Sequence, residues 1–579
     1  MNSLPCIIRA LLLLSMILWG GIIYSNTLDV PFYFDDTSNI EENRAIHLRD
    51  FSLSSLLGAG EKSILPKRVV ANISFAVNQY FHGNAVPGYH LVNIAIHLIT
   101  TLFLFFFVRS TLVLNAQWDR SESTNPDTIA FAVAFLWMVH PLQVQSVTYI
   151  VQRMNSLSAM FFIVAMYGYA QGRISETGRV SRLWFLGAFI SGLFALGSKE
   201  IAATLPFCIL LYEWFFFQDL SLAWLKKKAP WLLGVLLFLG AVAFFYLGKD
   251  PFRTILATYQ VRDFTLTERV FTEFRVIVHY ISLLFFPHPS RLSLEYDFLV
   301  SQSLFEPLST LFSFGLILVL LLFAAINARK HRLVAFSIFW FLGNLVIESS
   351  FIGLEIIFEH RTYLPSMMFF VPAMVFCCRE MRKDWLLISG LAVAIVFLSF
   401  WTYERNSLWL NPVVFWYDCT IKAPQNPRPY NNLGLALAEA GNSDAAIKNY
   451  QKALVLKPSF VEAHNNLGIA LKNMGIFDEA VLHFRQALIF NHNNAKAHNN
   501  LGSLLARQGN YTEALYHLRE ALRFDPQYAE ASNNLGNLMQ LLGRYDEAVQ
   551  YYRQALRINP DYPSAQYNMG IAIKRSGNR

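Results

Sequence analysis

The chain has 579 residues, of which 54% are hydrophobic and 15% charged. Soluble chains carry about 25% charged residues; this composition, with a mean hydropathy of +0.35, excludes a disordered, collagenous or plain cytosolic protein and implies an integral membrane protein with room for a soluble part. The net charge of +7 is of the kind that sets membrane topology and is not read as nucleic-acid binding.

Long apolar runs alternate with short polar loops up to residue 403. A spanning helix needs ~20 apolar residues, and about eleven segments approach that: about 7–25, 91–113, 129–148, 156–172, 184–198, 201–218, 229–248, 306–327, 334–352, 366–378 and 385–402. The first is taken as an uncleaved helix, because ten more follow. Basic residues cluster in four short loops: Arg173, Arg179 and Arg182; Lys226, Lys227 and Lys228; Arg329, Lys330 and Arg332; Arg379, Arg382 and Lys383. Placing all four in the cytoplasm puts the N-terminus inside and the C-terminal region outside. Segment 271–287 is then a re-entrant or interfacial helix on the outer side.

The outer loops collect mixed ionisable groups. The first, roughly 26–90, holds Phe34-Asp35-Asp36 with Lys67, Arg68, His82, Tyr89 and His90. Later ones hold His140-Pro141-Leu142-Gln143, Gln152-Arg153-Met154-Asn155 and Ser198-Lys199-Glu200. The fourth, 249–270, carries Lys249, Arg253, Arg262 and Arg269, with Arg275 just after, and the fifth is Glu359-His360-Arg361-Thr362-Tyr363-Leu364-Pro365. Ionisable groups at a membrane boundary are expensive, so their convergence on one face marks a candidate site, although any wet loop needs some polar residues. A carboxylate can serve as general base for a hydroxyl, and Arg and Lys can hold a phosphate leaving group. Together they suit transfer from a lipid-phosphate-activated donor. No Walker loop, dinucleotide fingerprint, HExxH or nucleophile elbow occurs. The five cysteines form no disulfide or metal framework. No His or Cys spacing supports zinc. A divalent cation beside Asp35 and Asp36 is left open, and no metal is assigned.

Beyond residue 403 a repeat takes over. Leu-Gly recurs at Leu433-Gly434, Leu467-Gly468, Leu501-Gly502 and Leu535-Gly536, then as Met569-Gly570, a period of 34. Gly441, Gly475, Gly509 and Gly543 keep step, as do Ala446, Ala480, Ala514 and Ala548. This is the tetratricopeptide repeat (TPR) pattern of paired antiparallel helices. It predicts units 427–460, 461–494, 495–528 and 529–562 plus a final helix, after a docking helix at 407–423. The fold class is therefore all-α: a polytopic membrane domain over 1–403, a docking helix and linker over 404–426, and an α-solenoid over 427–579. Asn432, Asn466, Asn500 and Asn534 precede the Leu in each unit, in a row expected to line the concave groove. Amides can pair with a peptide backbone whatever its sequence.

These motifs, in this order, resemble the transmembrane-and-TPR-containing O-mannosyltransferases and their bacterial relatives, within the type-C (GT-C) membrane glycosyltransferases. The matching stretches are Phe34-Asp35-Asp36, Gly88 through Asn93 with His97, His140 through Arg153, Ser198-Lys199-Glu200 with Pro206, and Glu359 through Pro365. The resemblance implies transfer of a sugar from a polyprenyl-phosphate carrier to a protein hydroxyl on the non-cytoplasmic face. It makes Asp36 or Asp35 the base, with Asp36 favoured. It assigns lipid-phosphate contacts to Arg153, Lys199, Arg275, His360 and Arg361, with His90, His140, Gln143, Glu200, Glu359 and Tyr363 in support. It also implies an acceptor protein held by the TPR groove, and the short array fits a bacterial inner-membrane enzyme with periplasmic repeats. Two alternatives stay open: a GT-C enzyme glycosylating a lipid or polymer while the TPR recruits a partner, and a non-catalytic TPR scaffold, which would need neither aspartate nor the outer arginines.

Overall fold

The computed structural model describes residues 4–118, 125–248, 250–381 and 384–577. Lys249, Arg382 and Lys383, used above to argue topology and site, lie outside the described residues. Helices are the only regular structure among the described residues. The chain divides into two compact units, Met1–Leu294 with Phe298–Asn411, and Glu295–Asp297 with Pro412–Arg579.

In the first unit six helical stretches are long and apolar enough to cross a membrane: Cys6–Thr27, Val86–Asn115, Ile150–Ile174, Gly178–Ser198, Leu308–Asn327 and Trp385–Leu408. One further apolar pair among the described residues is bent, a broken span or a re-entrant loop. Helix Pro126–Met138 and segment Pro141–Val147 meet at 54°, because the residue before a proline avoids helical geometry. His140 is accordingly extended (ψ 128°), and its Nδ1 accepts the Leu142 N–H. Three of the eleven expected spans fold short. Within 201–218 a 3-10 turn, Glu200–Thr204, leaves a helix of only Leu205–Phe216. The helix expected over 334–352 stops at Leu345, and 366–378 divides into the turn Pro365–Met368 and the helix Phe370–Glu380. The apolar run of 229–248 lies inside the longer helix Leu222–Leu247, which carries Pro230.

The core of this unit is aromatic. Phe107 stacks against Tyr212 and Trp340, and Phe162 meets Trp340 edge-on. Helices Arg153–Ile174 and Gly178–Ser198 pair closely because small residues face each other. A Cβ added at Gly168 would lie 3.3 Å from that of Ala188, the kind of contact that lets membrane helices approach. Segment 271–287, but for its last two residues, falls within the helix Leu266–Phe285, which starts on a Thr265–Glu268 capping box and buries Arg269, Thr272 and Glu273 on one side. Its charged side sets it apart from the spanning helices.

The second unit stacks helix pairs from Pro427–Glu439 and Ser443–Leu456 to Ala529–Leu541 and Tyr545–Ile558, followed by Pro563–Ser576. Gly441, Gly475, Gly509 and Gly543 take φ between +74° and +86°, the turn conformation glycine adopts without strain. The glycine of each Leu-Gly pair has a different task. A Cβ at Gly434, Gly468 or Gly536 would sit 2.6 Å from the ring of Tyr450, Phe484 or Tyr552. Helix Pro412–Lys422 opens this unit. Residues 295–297 also belong to it, with Glu295 accepting from Asn426 and Arg428, and Asp297 from the Gln425 N–H.

Candidate functional site

The two aspartates of the first loop have opposite surroundings. Asp35 is exposed, whereas Asp36 is buried. Both Asp36 oxygens accept backbone N–H groups, from Tyr33 at 2.9 Å and Val151 at 2.6 Å. Burial, with the neighbouring charges of Asp35 and Glu41, pushes the Asp36 carboxyl well above the usual range against those two hydrogen bonds. The Tyr149 hydroxyl accepts the Asp35 N–H at 2.9 Å and is also hydrogen-bonded to the Asp35 side chain. Tyr149 is itself buried and tilted against Trp409. In this geometry Asp36 is a brace between two loops, and Asp35 is the solvent-exposed carboxylate of the pair.

A second group lies at the other end of the same stretch of chain. Lys199 Nζ contacts Glu348 Oε1 at 2.7 Å and Asn155 Oδ1 at 3.1 Å. Asn155 donates to the His360 carbonyl, and Gln145 Oε1 faces both the backbone N–H and the Nδ1 of His360. Arg361 is buried, donates to the carbonyls of Ile356 and Glu355, and has an Nε with no hydrogen-bond partner among the described residues. Arg68 pairs with Glu200 at 3.1 Å and touches Met154 Sδ. Burial lowers the Lys199 ammonium, with Glu348 opposing. Burial and the nearby cations Lys199, Arg361 and Arg68 hold His360 well below its usual value, so it is a neutral imidazole.

Segment 149–155 links the two groups. Tyr149 meets Asp35, Val151 meets Asp36, and Asn155 meets Lys199. Six residues of helical rise separate its ends by ~10 Å. Of the expected phosphate contacts, Lys199, His360 and Arg361 converge here, with Glu200 joined through Arg68. Two do not. Arg153 is fully buried and directed to Asn93 Oδ1 and the carbonyls of Ser74 and Tyr89, between the rings of Phe75 and Tyr89. A guanidinium so enclosed braces the fold rather than meeting a lipid phosphate. Arg275 turns to the Leu299 carbonyl and the Phe298 ring, because its position on the helix Leu266–Phe285 faces away from Glu273.

The supporting residues are mostly internal struts. His90 bonds the Val30 carbonyl, His140 the Leu284 carbonyl, and Gln143 the Ser366 hydroxyl. Tyr363 bonds His97, and Glu359 accepts the Ser293 N–H. Sequence reasoning missed Tyr149, Glu273 and Glu348. Tyr149 stands in an apolar turn, and Glu348 finds Lys199 only through the fold, whereas the Arg269–Glu273 pair at i,i+4 on one helix was the signal that could have found Glu273. Among the described residues no group of three or more His, Cys, Asp or Glu side chains is placed to hold a metal ion.

In the repeats the asparagines bond one another. Asn466 donates to Asn431 Oδ1, Asn500 to Asn465, Asn534 to Asn499, and Asn568 to Asn533, at 2.9–3.3 Å. The row expected to be free for an acceptor thus commits one amide donor per repeat to the preceding repeat. The remaining N–H and the carbonyl of Asn466, Asn500 and Asn534 are what a bound chain could use. Asn432, the first of the row, accepts from Asn431.

Comparison with known proteins follows this division. Tetratricopeptide repeat models match residues 493–561 and 461–494, and a TPR repeat model matches 436–475. The protein O-mannosyl-transferase Tmtc3 of Drosophila melanogaster is 24% identical over 514 residues, covering 76% of this chain and 54% of the relative. TMTC3 of Homo sapiens is 23% identical over 76% of this chain and 51% of its own length. The protein O-mannosyl-transferase F38B6.6 of Caenorhabditis elegans is 23% identical over 77% of this chain and 63% of its own length. The chain thus spans about half the length of the first two. Among solved structures, MamA (25% identical, 27% of this chain, 84% of that one, TM-score 0.25) and YrrB, described as a TPR protein with an unusual peptide-binding site (24%, 28%, 84%, TM-score 0.25), are similar to part of it. The homologues of this chain are therefore protein O-mannosyl-transferases with TPR repeats, the family its motifs resemble.

Proposed function

We propose that this chain is a membrane glycosyltransferase that moves a sugar from a polyprenyl-phosphate-linked donor to a protein hydroxyl on the non-cytoplasmic face, with the TPR unit binding the acceptor. The observation that carries the reading is segment 149–155, which ties an exposed carboxylate at one end to a buried basic group at the other. Asp35 takes the proton of a Ser or Thr hydroxyl as its oxygen bonds to the sugar's anomeric carbon. The bond from that carbon to the phosphate oxygen breaks, and polyprenyl phosphate leaves. Lys199 and Arg361, with Arg68 beside them, hold the phosphate as its charge develops, in a setting where water screens little; His360, neutral and giving its one N–H to Gln145, lines the group without donating to the phosphate. The reading moves the base from Asp36 to Asp35, because Asp36 is buried away from any substrate and its burial favours the protonated form, which cannot take up a proton. The amide groups left by the Asn row would pair with an extended acceptor backbone, one repeat at a time.

The test uses the purified full chain in lipid nanodiscs with a polyprenyl-phosphate sugar, reading transfer by intact mass of exported proteins. General-base catalysis contributes ~10²–10⁴-fold, so Asp35→Asn should reduce turnover by about that factor while donor binding persists. Asp36→Asn should instead lower folded yield. Lys199→Ala should raise the donor KM. Parental turnover in Asp35→Asn would remove Asp35 from the mechanism.

A further inference from the structure

Beneath the basic group lies a carboxylate that the transfer mechanism does not use. Glu273 is 1% exposed, and neither of its oxygens makes a hydrogen bond of ordinary geometry, the Ser349 hydroxyl beside it giving only a weak one. Arg269, one turn earlier on the same helix, brings Nη2 to 2.9 Å, and Arg361 reaches only to 4.0 Å. Arg269 is itself directed at backbone, donating to the carbonyls of Glu348, Ser350 and Glu355. A buried carboxylate compensated so incompletely is unstable as an anion. Every neighbouring element adds a group: Tyr280 from its own helix, Arg361 from the turn Glu359–Thr362, Glu348 from the segment after Leu345, and Tyr259 from the turn Thr258–Val261. Glu348 is taken by Lys199 at 2.7 Å.

Three cations, Lys199, Arg269 and Arg361, therefore face two carboxylates, Glu273 and Glu348. The group carries one net positive charge with both carboxylates ionised, and two when Glu273 holds a proton. A phosphodiester arriving at Lys199 and Arg361 brings a negative charge into a poorly screened space that already holds Glu273. Like charges at such range drive one of them to protonate. Resting on the donor-site reading above, we propose that binding of the donor's phosphodiester beside Lys199 and Arg361 is coupled to uptake of a proton from solvent by Glu273. Glu273 is then a positioning residue: protonated, it withdraws a like charge from beside the phosphate and leaves the charge of Arg361 to the phosphate alone. Burial already pushes its carboxyl up to about 7, against the pull of Arg269 and Arg361, so the coupling falls in the neutral range.

The experiment is calorimetric titration of the full chain in nanodiscs with the methyl ester of farnesyl phosphate, a diester with no titrating group of its own. Running it at pH 8 in two buffers of different ionisation enthalpy gives the protons exchanged. The parental chain should take up close to one proton, and its affinity should fall by up to about tenfold per pH unit above pH 7. Glu273→Gln should still bind, take up none, and show a flat pH profile. Uptake that persists in Glu273→Gln assigns the proton to Lys199 and overturns the proposal. Binding by the parental chain without uptake overturns it alone. No binding by the parental chain overturns the donor site and this inference together.

Discussion

At Phe34 the backbone adopts φ 44°, a conformation uncommon for any residue but glycine. The turn it makes sends the next two carboxylates different ways, Asp36 into the protein and Asp35 out. Strain of this kind persists where the surroundings over-determine it, and here the anchors are the Tyr33 and Val151 amides on Asp36 and the Tyr149 hydroxyl on Asp35. Tyr149→Phe removes a hydrogen bond from the charged form of Asp35. The acid limb of the pH–rate profile should therefore move to higher pH, with a fall in kcat and little change in donor KM; an unmoved limb would detach Tyr149 from the base. The aspartate pair was legible in the sequence as two adjacent carboxylates at a membrane boundary. Which one is exposed was not, because that depends on a local φ and on the Val151 amide more than a hundred residues away. Lys199, His360 and Arg361 were legible for the same reason as the pair, whereas Arg153 misled: an arginine in an outer loop gives no sign that two aromatic rings and two carbonyls enclose it.

At the scale of elements, the repeat was read almost completely, since its period fixes both helices of each unit. What the period did not explain is why glycine follows leucine. The structure supplies the reason in the side chain sixteen residues later, an aromatic ring in three units and Leu518 in the other, which lies where a side chain on the glycine would begin. Gly468→Ala forces its Cβ against the Phe484 ring, and overpacking of this kind costs about 1–3 kcal/mol. In the full chain, hydrogen exchange of helices Val461–Asn473 and Phe477–Phe490 should quicken by about tenfold to a hundredfold, with no change in the helices of the membrane unit. Equal protection in the variant would show that the ring yields freely. The membrane helices were harder to read. Hydropathy finds apolar runs but not the prolines that break them, so Pro141, Pro206 and Pro365 divide segments that look continuous in composition.

For the whole molecule, composition alone separates a membrane part from a repeat part, and the division at Asn411 and Pro412 lies eight residues from where the apolar runs cease. The three residues 295–297 that join the repeat unit were invisible to any reading along the chain. The amide-to-amide bonds between repeats carry a further consequence. Each reaches back 35 residues, one more than the period, and joins the same two positions wherever it occurs. The array is thus indifferent to copy number: any unit can follow any other, and gain or loss of a whole unit leaves no loose end. Removing residues 461–494 brings Asn500 to Asn431 and should leave a folded, shorter array with one cooperative unfolding step. Removing 462–494, one residue fewer, sets Asn500 one position out of phase with Asn431, breaks the joint at that junction alone, and should split the unfolding into two steps. A lineage built on such a joint can lengthen or shorten its repeat array by duplication or deletion of whole 34-residue units without altering the membrane part.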